Sequence, residues 1–99
     1  SHLPHFLAYA LVVHLANDES AEDILRYAGG GFRDFTRIAA SDPRMWREIS
    51  LANKEQLLSS ITDFQKVLGV FESALSEGDG EQLEALFAKS KSLRDQFEF

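Results

Sequence analysis

The sequence predicts an all-α fold, and two observations support this. Apolar residues recur three and four positions apart through most of the 99 residues, and no segment sustains the two-residue alternation of a half-buried strand. Both prolines, Pro4 and Pro43, stand where a helix would begin, at the position where a missing N–H costs least. We therefore expect a helical domain with short N-terminal helices, a long central helix and a C-terminal helix.

Start and stop signals divide the chain into successive helices. The first is apolar on most faces, which predicts heavy burial, and the second opens with a capping-box pattern at Ser20. An Asp before Pro43 and the Ser before it supply an N-cap for the fourth helix. The predicted helices are Leu3 to about Ala16, Ser20 to Ala28, Phe32 to about Ala40, Pro43 to the turn at 77–80, and Glu81 to near the chain end.

The long helix carries two apolar flanks. One is a heptad-like seam that the last helix could cover by folding back at the turn near Gly78. A chain of this size has few elements left to cover the second flank, so we also expect a homodimer. The seam consists of Leu57, Ile61, Phe64, Leu68, Phe71 and Leu75, and the second flank of Trp46, Ile49, Leu58, Val67 and Val70.

Composition excludes several classes of function. A net charge of −6 argues against nucleic-acid binding, which requires a basic face. The apolar run at residues 6–13 is too short to span a membrane. The chain has no cysteine, which excludes disulfides and fits a reducing, cytoplasmic setting.

The glycine triplet at residues 29–31 is followed by Arg33 and Arg37, one helical turn apart. Three glycines permit positive φ and a close approach of the backbone to a ligand. Two arginines beside a helix start suit a small anion. The alternative interpretation is a helix C-cap and loop, with both arginines paired to surface acids.

The three histidines do not make a metal site. His2 and His5 lie one turn apart, but no further ligand or His-Glu-x-x-His pattern completes a zinc site, and His14 is an ordinary core or surface residue. No nucleophile elbow supports a Ser-His-Asp triad. The glycines are not a dinucleotide fingerprint, because no strand precedes them. We therefore predict no catalytic, cofactor-binding or metal-binding residues in this chain.

Several uncommon motifs occur in a specific order between residues 1 and 53. They are a Ser-His-x-x-His opening, the Gly-Gly-Gly-Phe-Arg-Asp-Phe-Thr-Arg-Ile-Ala stretch, the Ser-Asp-Pro start of the fourth helix, Trp46 and Asn53. With this order the chain resembles the C-terminal helical domain of the prephenate dehydrogenase family. These enzymes oxidatively decarboxylate prephenate or arogenate on the route to tyrosine, passing a hydride to NAD or NADP.

The resemblance implies a division of labour between domains. An N-terminal Rossmann domain of such enzymes binds the cofactor and carries the catalytic histidine, whereas the helical domain pairs two subunits. We therefore expect residues 1–99 to be one excised or truncated domain, inactive alone and paired as an intertwined homodimer. Prephenate or arogenate is the implied ligand, with tyrosine as a potential inhibitor.

The resemblance also implies a set of substrate-binding residues. Arg37 matches the arginine that holds a substrate carboxylate, and Asp34 would orient or gate that guanidinium. His5 and Trp46 would wall the pocket, and two glycines would let the backbone approach. The full set is His2, His5, Gly30, Gly31, Asp34, Arg37 and Trp46.

Two other classes of function are compatible with the sequence. A pure helical dimerisation or adaptor module would use the apolar seam alone, with the arginines as surface pairs. An aromatic-acid-sensing regulatory domain would bind a free acid without any catalytic role. The sequence upstream of this domain would discriminate them, because a Rossmann fingerprint there indicates the dehydrogenase.

The missing dinucleotide fingerprint leads to a first testable prediction. Calorimetric titration of the 99-residue chain with NAD should give no saturable heat, because no strand and glycine-rich turn cradle a pyrophosphate. Saturable binding in the micromolar range would contradict the assignment of the cofactor to another domain.

Overall fold

The computed structural model describes residues 2–17, 23, 26 and 29–97. Across these residues all regular structure is helical, which confirms the predicted all-α class. The predicted helix at residues 20–28 falls largely outside the described residues. The elements are α1 (Leu3–Ala16), α2 (Gly30–Thr36), a 3-10 helix (Arg37–Ala40), α3 (Pro43–Ala52), α4 (Lys54–Ser76) and α5 (Gly80–Asp95).

Helix α1 packs on one side only. It begins with Pro4 in its first turn and contacts both α2 and the 3-10 helix. Ala8 is completely buried, which lets the helix backbones approach closely, whereas Val13 is 62% exposed. The prediction of heavy burial on most faces is therefore wrong for α1 in this single chain, because its second apolar side is not covered.

The glycine triplet enters a helix instead of making a left-handed turn. Gly29 is the N-cap of α2 with φ −74°, and the next two glycines are the first residues of that helix. Among the described residues the positive φ belongs to Gly78, so residues 29–31 do not use the positive φ that glycine permits. Helix α2 consequently starts two residues earlier than predicted.

The predicted long helix is interrupted at Asn53. Asp42 caps α3 as expected, its side chain accepting the Arg44 N–H at 3.0 Å. The Ile49 carbonyl accepts both the Asn53 side chain at 2.8 Å and the Asn53 N–H at 3.1 Å, and the helix ends because Asn53 adopts φ −118° and ψ 27°. Helix α4 starts at the next residue and runs for 23 residues, so the continuous helix from Pro43 is two helices.

The chain divides into two compact units, Ser1–Ser60 and Ile61–Phe99. The second unit contains most of α4, the turn at Gly78, and α5. Gly78 adopts φ +66°, and the N–H groups of Gly78 and Asp79 bond the carbonyls of Leu75 and Ala74 at 3.1 and 2.9 Å. This is a Schellman ending, which turns the chain back toward α5.

The α4 seam is only partly covered by α5. The rings of Phe71 and Phe87 lie 6.0 Å apart, as a helical hairpin requires. However, Leu68 is 55% and Leu75 is 69% exposed, and on the second flank Val67 is 52% exposed. Among the described residues three hydrophobic side chains are buried, and two of them are small: Ala8, Leu57 and Ala74.

This distribution means that a single chain has little closed hydrophobic core. Exposed apolar surface of this extent normally marks a protein–protein interface. In the part of the chain that the structure describes, no helix is sufficiently long and apolar to span a bilayer.

The Schellman glycine provides a test of the turn. Gly78→Ala should lower the free energy of unfolding by about 1 kcal/mol, because an L-residue at positive φ costs roughly 1–2 kcal/mol and the stiffer unfolded chain offsets part of it. Gly80→Ala is the matched control, since an added Cβ there meets open space without positive φ. Urea denaturation measures both, and equal effects of the two substitutions would contradict this account of the turn.

Candidate functional site

Three predicted site residues form one cluster where α1 meets α3. The rings of His5 and Trp46 are stacked, with centroids 4.0 Å apart and planes 16° from parallel. His2, which caps the start of α1, meets the same indole edge-on at 5.9 Å and 73°. We call His2, His5 and Trp46 the aromatic cluster.

Local sequence explains how these rings come together. His2 and His5 are three residues apart at the start of α1 and therefore share a face of that helix. Trp46 follows the Asp42 cap by one turn, and its backbone N–H donates to the Asp42 carbonyl at 3.1 Å. The direction of α3 is thus fixed at the point where it presents the indole.

Two buried polar atoms of the aromatic cluster have no hydrogen-bond partner in the part of the chain that the structure describes. They are Nδ1 of His5 and Nε1 of Trp46. An indole N–H can only donate, so it requires an acceptor atom, and leaving such a group buried and unpaired costs about 1–3 kcal/mol. The cluster therefore holds a buried indole donor that lacks an acceptor among the described residues.

A long-range hydrogen bond holds α1 beside the start of α3. The Tyr9 hydroxyl donates to the backbone carbonyl of Ser41 at 2.7 Å, across a sequence separation of 32 residues. Ser41 lies between the 3-10 helix and α3, and its own hydroxyl donates to the Ile38 carbonyl at 2.7 Å. No sequence motif marks Tyr9, although Tyr9 follows His5 by one helical turn.

Arg37 is an exposed cation at the first position of the 3-10 helix. No carboxylate among the described residues lies within 4.0 Å of its guanidinium; the ion pairs there are Arg47–Glu48 and Lys91–Asp95. Asp34 is exposed as well and makes no ion pair with Arg37. The side chain predicted to hold a carboxylate is therefore accessible to an anion.

The remaining predicted residues, Gly30 and Gly31, form the first turn of α2. A Cβ at either glycine would meet nothing within 4 Å, so the backbone there is open to close approach. Structural contacts connect α2 and the 3-10 helix with α1, but no described contact joins Gly30, Gly31, Asp34 or Arg37 to the aromatic cluster itself.

An apolar groove of about 730 Å³ lies beside the aromatic cluster, between α1 and α3, and shares Trp46 with it. Sequence reasoning did not predict this groove, and its only signal was the second apolar side of α1. Its lining residues are Phe6, Tyr9, Ala10, Val13, His14, Asn17, Pro43, Trp46, Arg47, Ser50 and Leu51. His14, expected to have no special role, therefore lies at the edge of this groove.

The described residues contain no group of three or more His, Cys, Asp or Glu side chains that could hold a metal ion. They also contain no strand followed by a glycine-rich turn and helix, the unit that binds a dinucleotide.

Comparison with known proteins identifies the same family as the motifs. Residues 1–89 match the family model described as prephenate dehydrogenase, dimerization domain. The chain is 41% identical over 96 residues to cyclohexadienyl dehydrogenase of Zymomonas mobilis, covering 95% of this chain and 33% of that protein. It is 38% identical over 96 residues to prephenate dehydrogenase of Bacillus subtilis, covering 96% of this chain and 26% of that protein.

A solved structure shows the same fold. The crystal structure of Synechocystis arogenate dehydrogenase superposes with a TM-score of 0.91 at 25% identity, covering 99% of this chain and 36% of that chain. The chain thus spans only about a quarter to a third of the length of its curated relatives. On the match of residues 1–89, it belongs to the prephenate dehydrogenase family, as the dimerization domain of that family.

Proposed function

We propose that this chain is the dimerisation and substrate-binding domain of an NAD(P)-dependent prephenate or arogenate dehydrogenase. The whole enzyme would convert prephenate to 4-hydroxyphenylpyruvate, or arogenate to tyrosine, by oxidation with loss of carbon dioxide. The observation that carries the substrate-binding part is the aromatic cluster, in which Nδ1 of His5 and Nε1 of Trp46 are buried without a partner among the described residues.

The substrate's chemistry matches what these residues offer. Prephenate carries two carboxylates and a ring hydroxyl, and Arg37 is an exposed guanidinium without a carboxylate partner among the described side chains. A planar guanidinium can hold a carboxylate through two parallel hydrogen bonds. The indole N–H of Trp46 is a donor for a second oxygen of the same ligand.

The role of the chain in this reaction is binding and orientation. Holding the ring and a carboxylate in fixed places lowers the entropy cost of reaching the reactive geometry. His5 and Trp46 contribute flat surfaces and exclude water from one side of the ring, whereas Gly30 and Gly31 leave room beside α2. Asp34 would set the direction of the Arg37 guanidinium once a ligand is bound.

The nicotinamide cofactor supplies the hydride acceptor and binds, in this proposal, to a separate Rossmann domain of the whole enzyme. Tyrosine carries the same ring hydroxyl and side-chain carboxylate as the substrates, so we propose it as a competing ligand of this site. A sensing domain without catalytic role would bind the same acids, and the activity measurement below separates the two functions.

The dimerisation part of the proposal is supported by the exposed apolar flanks of α4 and by the family to which the chain belongs. A second copy would cover these flanks and complete the hydrophobic core. An intertwined arrangement, in which each copy supplies helices to the core of the other, is the form of dimer that we propose.

Light scattering tests the dimer. The 99-residue chain should show a mass of about 22 kDa, twice its 11.1 kDa, at micromolar concentration. Replacing both Phe64 and Leu68 by Asp should reduce the mass to that of one chain, because each buried charge would be unpaired. Ser92→Asp adds a charge on an exposed face of α5, away from the large apolar residues of that helix, and should leave the dimer intact. A single-chain mass for the wild type would contradict the proposal.

The carboxylate assignment predicts a specific loss in the whole enzyme. Arg37→Ala should lower kcat/KM for prephenate or arogenate by about 10- to 1,000-fold, because charge-assisted hydrogen bonds contribute roughly 1.5–3 kcal/mol each. Arg37→Lys should recover only part of the loss, since it keeps the charge without the planar fork.

Arg44→Ala is the control for this measurement. Arg44 is equally exposed but lies in the first turn of α3, where only its backbone N–H is used by the Asp42 cap. It should change kcat/KM by less than about twofold. An equally small effect of Arg37→Ala would contradict the site and favour a pure dimerisation or adaptor role.

A further inference from the structure

We propose that Tyr9 is a positioning residue, which fixes the stacking of His5 on Trp46 through its hydrogen bond to the Ser41 carbonyl. The kinetic part of this inference rests on the function proposed above, whereas the structural part does not. Tyr9 is not among the residues that the sequence motifs assign to the site.

The geometry connects the two stacked rings through a closed series of contacts. Tyr9 lies one turn after His5 on α1, and its hydroxyl reaches Ser41 at 2.7 Å. From Ser41 the chain passes to Asp42, whose carbonyl accepts the backbone N–H of Trp46 at 3.1 Å. Trp46 then returns to α1 by stacking on His5 at 4.0 Å.

The acceptor of this bond is itself held in place. The Ser41 N–H and hydroxyl both bond the Ile38 carbonyl, at 3.3 and 2.7 Å, and the next residue caps α3. The Tyr9 hydroxyl therefore attaches α1 to a fixed point of the backbone. Among the side-chain hydrogen bonds that the structure describes, it spans the greatest sequence separation.

Loss of the hydroxyl should affect ring overlap more than it affects folding. Tyr9→Phe keeps the ring and its packing in the groove but removes the hydrogen bond that restrains the α1–Ser41 distance. A nearly parallel stack at 4.0 Å depends steeply on such a displacement, because ring overlap is lost as the planes slide or tilt. The bound ring of the substrate would then be held less closely, while the reacting atoms are handled by other groups.

Trp46 is the only tryptophan of the chain, so its fluorescence reports on the stack directly. An imidazole in van der Waals contact quenches indole emission, and His5→Ala should therefore raise the emission of the full chain. Tyr9→Phe should also raise the emission of Trp46. In the Tyr9→Phe background, His5→Ala should then raise the emission by less than half of the increase that His5→Ala causes in the wild-type chain. The excitation wavelength is chosen so that tyrosine does not absorb.

Thr36→Val is the matched control for removal of a partly buried hydroxyl. The Thr36 hydroxyl donates to the Phe32 carbonyl within its own helix, at 2.7 Å, and joins no two elements. It should leave Trp46 emission unchanged. Circular dichroism of each variant verifies that helical content is retained.

In the whole enzyme Tyr9→Phe should raise KM for prephenate or arogenate by about 3- to 10-fold and keep kcat within about twofold. The positioning role would be overturned if Tyr9→Phe had the emission of the wild type and His5→Ala still gave its full increase in the Tyr9→Phe background. Changed emission with an unchanged KM would support that role and contradict the use of the aromatic cluster in substrate binding. The two proposals can thus fail independently.

Discussion

The packing of α1 against the start of α3 is the constraint on which the candidate site depends. Ala8 is completely buried, which allows α1 to approach its neighbours closely, and the Tyr9 hydroxyl bonds the Ser41 carbonyl at 2.7 Å. These contacts hold α1 where His5 stacks on Trp46. The site is therefore part of the packing of the first unit, and disturbing one should disturb the other.

The small number of buried apolar side chains also explains why we expect a second copy of the chain to bind. Most large apolar side chains of α4 and α5 stay partly or largely exposed, so hydrophobic stabilisation within one chain is small. The family to which the chain belongs is described as a dimerization domain, and we propose that a second copy covers these flanks.

Much of the fold could be predicted from local sequence signals. The Asp42 cap, the first-turn prolines and the glycine turn act through backbone chemistry within a few residues, and all three are where the sequence places them. The sequence does not reveal the break at Asn53, because the apolar periodicity continues past it, whereas the break lies in the backbone angles of that one residue. The glycine triplet permits positive φ but does not require it, and in the structure it begins α2 instead.

The candidate site divides in the same way. The stack of His5 on Trp46 joins residues 41 positions apart, so spacing cannot predict it, and the family resemblance implies only that both residues line one pocket. The role of Tyr9 cannot be predicted from sequence, because the hydrogen-bond acceptor is a backbone carbonyl that no side-chain pattern marks. The partnerless state of Arg37 among the described residues also depends on where neighbouring acids fall in space, which charge counts alone do not give.

A crystal structure of the whole enzyme with a non-reactive dicarboxylate analogue of prephenate tests the central claim most directly. We expect one carboxylate on the Arg37 guanidinium and an oxygen of the same ligand within hydrogen-bond distance of Nε1 of Trp46, with His5 still stacked on the indole. A ligand bound away from both groups, with Nε1 of Trp46 paired to a protein atom, would contradict the account.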